Sequence, residues 1–136
     1  HGHSSPPSTT TMWPISPAAP WVPVHDSNPA EWWRGFEVNL KGPYLLAQAL
    51  LPLLLKTAEQ TGHADIINLA SMGAHQVSAL ASNYPISKLA VCRLTESLDA
   101  GYADKGINVV SVNPGGVETA LALQEVEILK PCKLLG

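Results

Sequence analysis

Ala64-Asp65-Ile66-Ile67-Asn68-Leu69-Ala70 is a nearly unbroken apolar run closed by the small-residue segment Ser71-Met72-Gly73-Ala74, and it reads as a fully buried strand. Forward of it, the spacing predicts a helix over about 82–103, with Ala90, Val91, Leu94 and Leu98 on one face and Gly106 as its stop signal. The β-branched run Ile107-Asn108-Val109-Val110-Ser111-Val112 reads as the next strand, and Asn113-Pro114-Gly115-Gly116 ends it in a sharp turn. Strand, long helix, strand is a βαβ unit. Its strands are expected to be parallel, with a right-handed crossover.

Backward of that unit, Asn28 can cap a helix and Pro29 can take its first position. Trp32, Trp33, Phe36, Leu40, Leu45, Ala49, Leu50, Leu53 and Leu54 recur at helical spacing through about Glu59. The apolar face continues across Gly42-Pro43 and Pro52, so these residues are expected to kink the helix rather than end it. Seven of the twelve prolines lie between Pro6 and Pro29, amid Ser4, Ser5, Ser8 and Thr9–Thr11, which excludes a regular helix or central strand there. The expected organisation is a Pro/Ser-rich loop or coil at 1–28, an α/β unit at 29–119, and a helix near 120–129 followed by a Pro131-containing tail to 136. Trp13 and Trp21 either fold onto an apolar surface or sit on a mobile tail.

The whole chain has 136 residues, 46% of them hydrophobic and 14% charged, with a net charge of −3, which fits one globular unit. Lys and Arg are few and scattered, so no basic stripe exists to track a phosphate backbone and nucleic acid is excluded as a partner. Tyr44 to Leu55, the most apolar stretch, is shorter than the ~20 residues a membrane span needs and reads as a buried helix. Cys92 and Cys132 lack metal-ligand spacing and no Asn-x-Ser/Thr sequon occurs; two free thiols in a reducing, cytoplasmic setting are expected. His1 and His3 read as solvated imidazoles at a frayed terminus rather than a metal site. The chain opens on His1 without a secretory leader pattern and looks like a fragment.

The chemistry concentrates at Tyr84-Pro85-Ile86-Ser87-Lys88. Residues at i and i+4 share a helix face, so the ammonium of Lys88 can lie beside the phenol of Tyr84 and favour its ionised form. Ser71 stands at the carboxyl end of one strand and Pro114-Gly115 after the next, where open α/β sheets bind their ligands. Together with Phe36-Glu37-Val38-Asn39-Leu40-Lys41-Gly42, Ile66-Ile67-Asn68-Leu69-Ala70-Ser71 and Asn113-Pro114-Gly115-Gly116-Val117-Glu118-Thr119, these ordered motifs make the stretch from about Glu31 to Thr119 resemble the second half of a short-chain dehydrogenase/reductase. The resemblance implies a partial Rossmann-type, doubly wound parallel sheet, truncated at its N-terminus and after the sixth-strand equivalent. It implies NAD- or NADP-dependent hydride transfer to or from a small alcohol or carbonyl. In that family Tyr84 would exchange the substrate proton and also contact the cofactor, Ser71 would bond the substrate oxygen, and Lys88 would assist the tyrosine and hold the nicotinamide ribose. Asn39 would position a water linking Lys88 to solvent, and Pro114, Gly115, Val117 and Thr119 would line the nicotinamide end of the cofactor. The two long helices would pack between subunits of a homo-oligomer.

The sequence also departs from that pattern. No Gly-x-x-x-Gly-x-Gly or Gly-x-Gly-x-x-Gly loop is present to bring backbone against a pyrophosphate, and the residue that would select NAD or NADP is missing with it. Ala70 stands where the family often has a second serine. Two parallel strands without neighbours expose apolar edges and faces, so poor independent stability and little turnover are expected of the chain alone. A catalytically inactive remnant acting as an oligomerisation or interaction module is the alternative.

Overall fold

The computed structural model describes residues 22–115. After a single 3-10 turn at Val24–Asp26, helix α1 (Pro29–Phe36) starts where expected. The Asn28 side chain accepts from the backbone N–H groups of Ala30 and Glu31, a cap worth ~0.5–2 kcal/mol, and Pro29 occupies a position where no N–H is needed. The helix passes through Gly42-Pro43 and Pro52 without ending, but by way of a π turn at Glu37–Lys41, and continues as α2 (Gly42–Thr61). Pro43 is the physical reason to find irregular backbone here: it has no N–H to give the Asn39 carbonyl, so the α-helical bond between them cannot form.

Strand β1 (Ala64–Leu69) is followed by a 3-10 turn at Met72–His75, helix α3 (Asn83–Tyr102), a short 3-10 turn and strand β2 (Ile107–Val112). The two strands pair in parallel, Ala64 opposite Ile107 and Leu69 opposite Val112, as the βαβ reading requires. Two glycines make the connections tight. Gly62 ends α2 and Gly106 precedes β2, both with positive φ, and a Cβ on Gly106 would lie 3.2 Å from the Gly62 carbonyl oxygen and 3.4 Å from Ala58 Cβ. The start of β2 therefore packs directly against the end of α2.

Both long helices cover the same side of the sheet. Leu51 and Ala58 of α2 meet Ala64, Ile107 and Val109, with Ile66 and, from α3, Leu98 and Tyr102 packed around them. Ile107 is fully enclosed. The reading of β1 as fully buried is therefore corrected for one face, while the exposed apolar face expected of two strands without neighbours is found. Among the described residues nothing covers the side carrying Ile67 and Leu69, which are 64% and 61% exposed, nor Val110 and Val112 beside them. The Tyr44–Leu55 stretch, read as a buried helix, is corrected likewise: Ala47 and Leu51 are buried, whereas Leu45, Leu46, Leu50 and Leu53 are exposed. That stretch also belongs to a continuous helix from Pro29 to Thr61, which by length and composition alone could cross a membrane; here one face of it packs on the sheet. Apolar periodicity marks which residues share a face, but what covers that face is decided by packing partners.

The face that α3 buries differs from the apolar one read from sequence. Its buried residues are Asn83, Ser87, Val91 and Thr95, spaced by four. Three of these, and Asp99 one turn on, make polar bonds to different neighbours. Asn83 Nδ2 donates to the Trp32 carbonyl, Ser87 Oγ accepts from Asn39, Thr95 Oγ1 accepts from Asn68, and Asp99 accepts from the Val109 N–H. Helix α3 is thus latched to α1, the π turn, β1 and β2 by polar side chains along one face. Most of these buried polar atoms are paired, Asn83 Oδ1 being the exception, and the pairing fixes the helix in rotation and along its axis. The expectations for Trp13, Trp21, Cys132, His1, His3 and the helix near 120–129 fall outside the described residues.

Candidate active site

The in-register pairing of β1 and β2 brings their carboxyl ends together, and Ala70 N–H donates to the Val112 carbonyl to extend the ladder by one bond. Ser71 leaves β1 at this end in an extended conformation, and its Oγ accepts the Gly73 N–H at 3.1 Å, capping the turn at Met72–His75. Because that bond uses a lone pair, the hydroxyl proton stays available to donate. Tyr84 enters from the first turn of α3. A Cβ on Gly73 would lie 3.3 Å from Tyr84 Cε1 and 3.4 Å from Ser71 Oγ, so the phenol ring and the seryl oxygen meet over a bare glycine.

Lys88 follows one turn later. Its Nζ lies 5.9 Å from the centroid of the Tyr84 ring and donates to the Leu69 carbonyl at 3.0 Å. The side chain is half-buried, and loss of hydration pushes its pKa below the ordinary lysine value, an effect that Cys92 one turn further on partly opposes. The folded lysine thus gives up its proton at lower pH than the unfolded one. Between those two pKa values the unfolded chain binds more protons, so folding stability rises with pH across that window and the burial penalty is fully present at neutral pH. Lys88→Met is expected to flatten the rise in stability between about pH 7 and 10 without lowering stability at neutral pH, which urea midpoints at the two pH values would measure. A neutral-pH loss of stability in that variant would mean that the bond to Leu69 outweighs the desolvation.

Asn39 sits in the π turn, 48 residues from its partner: its Nδ2 donates to Ser87 Oγ at 3.0 Å, and Ser87 Oγ donates to the Tyr84 carbonyl at 2.8 Å. Asn39 and Lys88 also share a groove of about 460 Å³ that runs between the unpaired edge of β1 and α2, walled by Val38, Leu46, Leu50 and Ile67. Pro114 and Gly115 emerge, exposed, from the end of β2; Gly115 N–H donates to Asn113 Oδ1 at 3.2 Å and its φ is +77°. They share the sheet end with Ser71 but make no hydrogen bond to the other four residues. Val117 and Thr119 lie outside the described residues.

The structure therefore places Ser71 and the Tyr84 ring on either side of Gly73, sets Lys88 one turn on with its Nζ 5.9 Å from the ring centroid, and attaches Asn39 to the Tyr84 backbone through Ser87. Ser87 and Gly73 carried no role in the sequence reading. Ser87 had a signal, since it shares the four-residue spacing of Asn83, Thr95 and Asp99 along α3. Gly73 gave none beyond being a small residue after a strand.

A βαβ sheet with a serine, tyrosine and lysine at its carboxyl end defines a class of Rossmann-like oxidoreductase folds, and comparison with known proteins makes it particular. The short chain dehydrogenase family model matches residues 17–128, and the chain belongs to that family. It is 46% identical over 102 residues to a short chain dehydrogenase of Monascus purpureus, a match covering 75% of this chain and 34% of the relative. It is also similar to solved structures: a short chain dehydrogenase of Escherichia coli complexed with NADPH (TM-score 0.69, 29% identity, 79% of this chain and 42% of that one). A gluconate 5-dehydrogenase of Burkholderia cenocepacia in complex with NADP and tartrate is likewise similar (TM-score 0.70, 30% identity, 78% of this chain and 40% of that one). The chain thus spans about a third of the length of the curated relatives it matches.

Proposed function

We propose that this chain is the catalytic half of an NAD(P)-dependent short-chain oxidoreductase that moves a hydride between the nicotinamide and a small alcohol or carbonyl. One observation carries the reading: the Tyr84 ring and the Ser71 oxygen converge on Gly73 while the Lys88 ammonium lies 5.9 Å from the ring. The complexes of the Escherichia coli and Burkholderia cenocepacia relatives with NADPH and NADP support the cofactor class. The donor set fits the nicotinamide-ribose end of such a molecule. Lys88 keeps two N–H donors after its bond to Leu69, and the turn after β2 offers Pro114 and Gly115, with Val117 and Thr119 beyond. The adenosine half finds no glycine-rich loop in this sequence.

In this reading the bound cofactor supplies or accepts the hydride, and the chain handles the proton. Ser71 donates to the substrate oxygen and Tyr84 gives or takes the proton at that oxygen, steps in which developing charge is met by positioned groups. Lys88 stabilises the phenolate electrostatically. Asn39 would position the water through which Lys88 exchanges protons with solvent. The exposed leucines of α2 fit a homo-oligomer assembled through α2 and α3 in the cytoplasm; they also favour an assembly role, as an addition to the chemistry rather than a substitute.

The test is a graft in which residues 22–115 replace the aligned segment of the Monascus purpureus relative, restoring a full-length domain. The graft is expected to oxidise NADPH or NADH in the presence of one or more carbonyls from a panel of small aldehydes and ketones, while the 136-residue chain alone does not. A folded graft that binds neither dinucleotide sinks the reading.

A further inference from the structure

Ser87 is a buried nucleophile-type side chain to which the proton chemistry assigns no part. It is 0% exposed, and every hydrogen-bonding capacity it shows is directed at the site. Its one proton goes to the Tyr84 carbonyl at 2.8 Å, and a lone pair holds Asn39 Nδ2 at 3.0 Å. The hydroxyl therefore bridges the first turn of α3 and the π turn. The π turn needs such a tether, because Pro43 removes the helical bond that would otherwise fix the Asn39 peptide. On the same face one turn earlier, Asn83 clasps α1 by donating to the Trp32 carbonyl at 3.3 Å across Gly35, while Trp32 Nε1 donates to Ser82 Oγ at 2.9 Å. Those contacts hold the start of α3 against α1, and neither of them reaches Asn39. Among the described residues, Ser87 makes the side-chain hydrogen bond that links Asn39, on the wall of the groove, to the turn bearing Tyr84 and Lys88.

We propose that Ser87 is a positioning residue of the oxidoreductase site: by holding the Asn39 amide against the Tyr84 backbone, it sets the π turn relative to Lys88 and keeps bulk water from the ammonium. The inference rests on the reading above for its functional meaning, but its geometry stands apart from turnover. Lys88 has Tyr84 and Cys92 beside it on α3 and Asp65 on the strand that lines the same groove.

The experiment is nuclear magnetic resonance on the labelled 136-residue chain and, in parallel, on the graft, following exchange of the Asn39 side-chain amide with water and the titration of Lys88. Unmodified protein is expected to protect the Asn39 amide at least ~10-fold relative to an exposed asparagine side chain such as Asn28, whose oxygen accepts but whose amide N–H groups make no bond among the described residues. Ser87→Ala is expected to abolish that protection and move the Lys88 titration upward, toward the ordinary lysine value. Asn39→Ala is expected to move Lys88 by the same amount, and the double variant by no more, because both act through one link. Ser87→Thr, which keeps the hydroxyl, is expected to restore the Lys88 midpoint. An unprotected Asn39 amide in the unmodified protein overturns the proposal before any variant is made. An unmoved Lys88 titration in Ser87→Ala, or additive shifts in the double variant, overturns it as well. Neither readout needs cofactor or substrate, so an inactive graft with a protected Asn39 refutes the enzymatic reading and leaves the tether standing.

Discussion

Tyr84→Phe in the graft is expected to lower the carbonyl-reduction rate by ~10²–10⁴, with dinucleotide binding changed little. The substitution removes one oxygen and keeps the ring, so the packing against Gly73 and the proximity of Lys88 survive. What is lost is the proton donor at the position where the substrate oxygen must gain a proton as hydride arrives. Stopped-flow or steady-state NADPH oxidation measures it, with the loss expected in kcat rather than KM, since the interaction matters most as charge develops. A loss below about tenfold would mean that water or another side chain supplies the proton.

Ile107→Ala in the graft is expected to destabilise the domain by ~2–5 kcal/mol, a large share of the ~5–15 kcal/mol typical of a whole domain. Ile107 is fully enclosed where β2 begins, among Leu51, Ala58, Ala64 and Val109. The backbone next to it cannot collapse readily into the cavity, because Gly106 is already in contact with the end of α2. The urea midpoint should fall with little change in slope. Ile67→Ala, on the exposed face of β1, gives the contrast: in the isolated chain it should cost less than Ile107→Ala, since 64% of Ile67 is already in water.

The unequal cost of those two isoleucines marks where sequence reading succeeds and where it stops. Strand, helix and strand were legible because β-branched runs, an N-terminal Asn-Pro pair and a stop-signal glycine each act within a few residues, and Asn28 and Gly106 do so here. The Tyr84–Lys88 pairing was legible for the same reason, being one helical turn. Which face of β1 would be covered was not local information; it depends on both α2 and α3 lying on one side. The latch along α3 was equally hidden. Asn83, Ser87 and Thr95 look like surface residues by type, and their partners lie 51, 48 and 27 positions away. Asn39 illustrates the point within the site: its type and order were readable, but its attachment through Ser87, rather than directly to Lys88, required the fold.

Isotope transfer tests the central claim most directly. With the graft, NADPH or NADH carrying deuterium at both nicotinamide C4 positions and a reducible carbonyl, deuterium is expected on the carbinol carbon of the product, with the rate of its appearance cut at least a hundredfold by Tyr84→Phe, the low end of the ~10²–10⁴ range for acid/base groups. Product that carries no deuterium, or label that arrives as fast without the Tyr84 hydroxyl, would contradict the assignment of this serine, tyrosine and lysine as the site of hydride-coupled proton transfer.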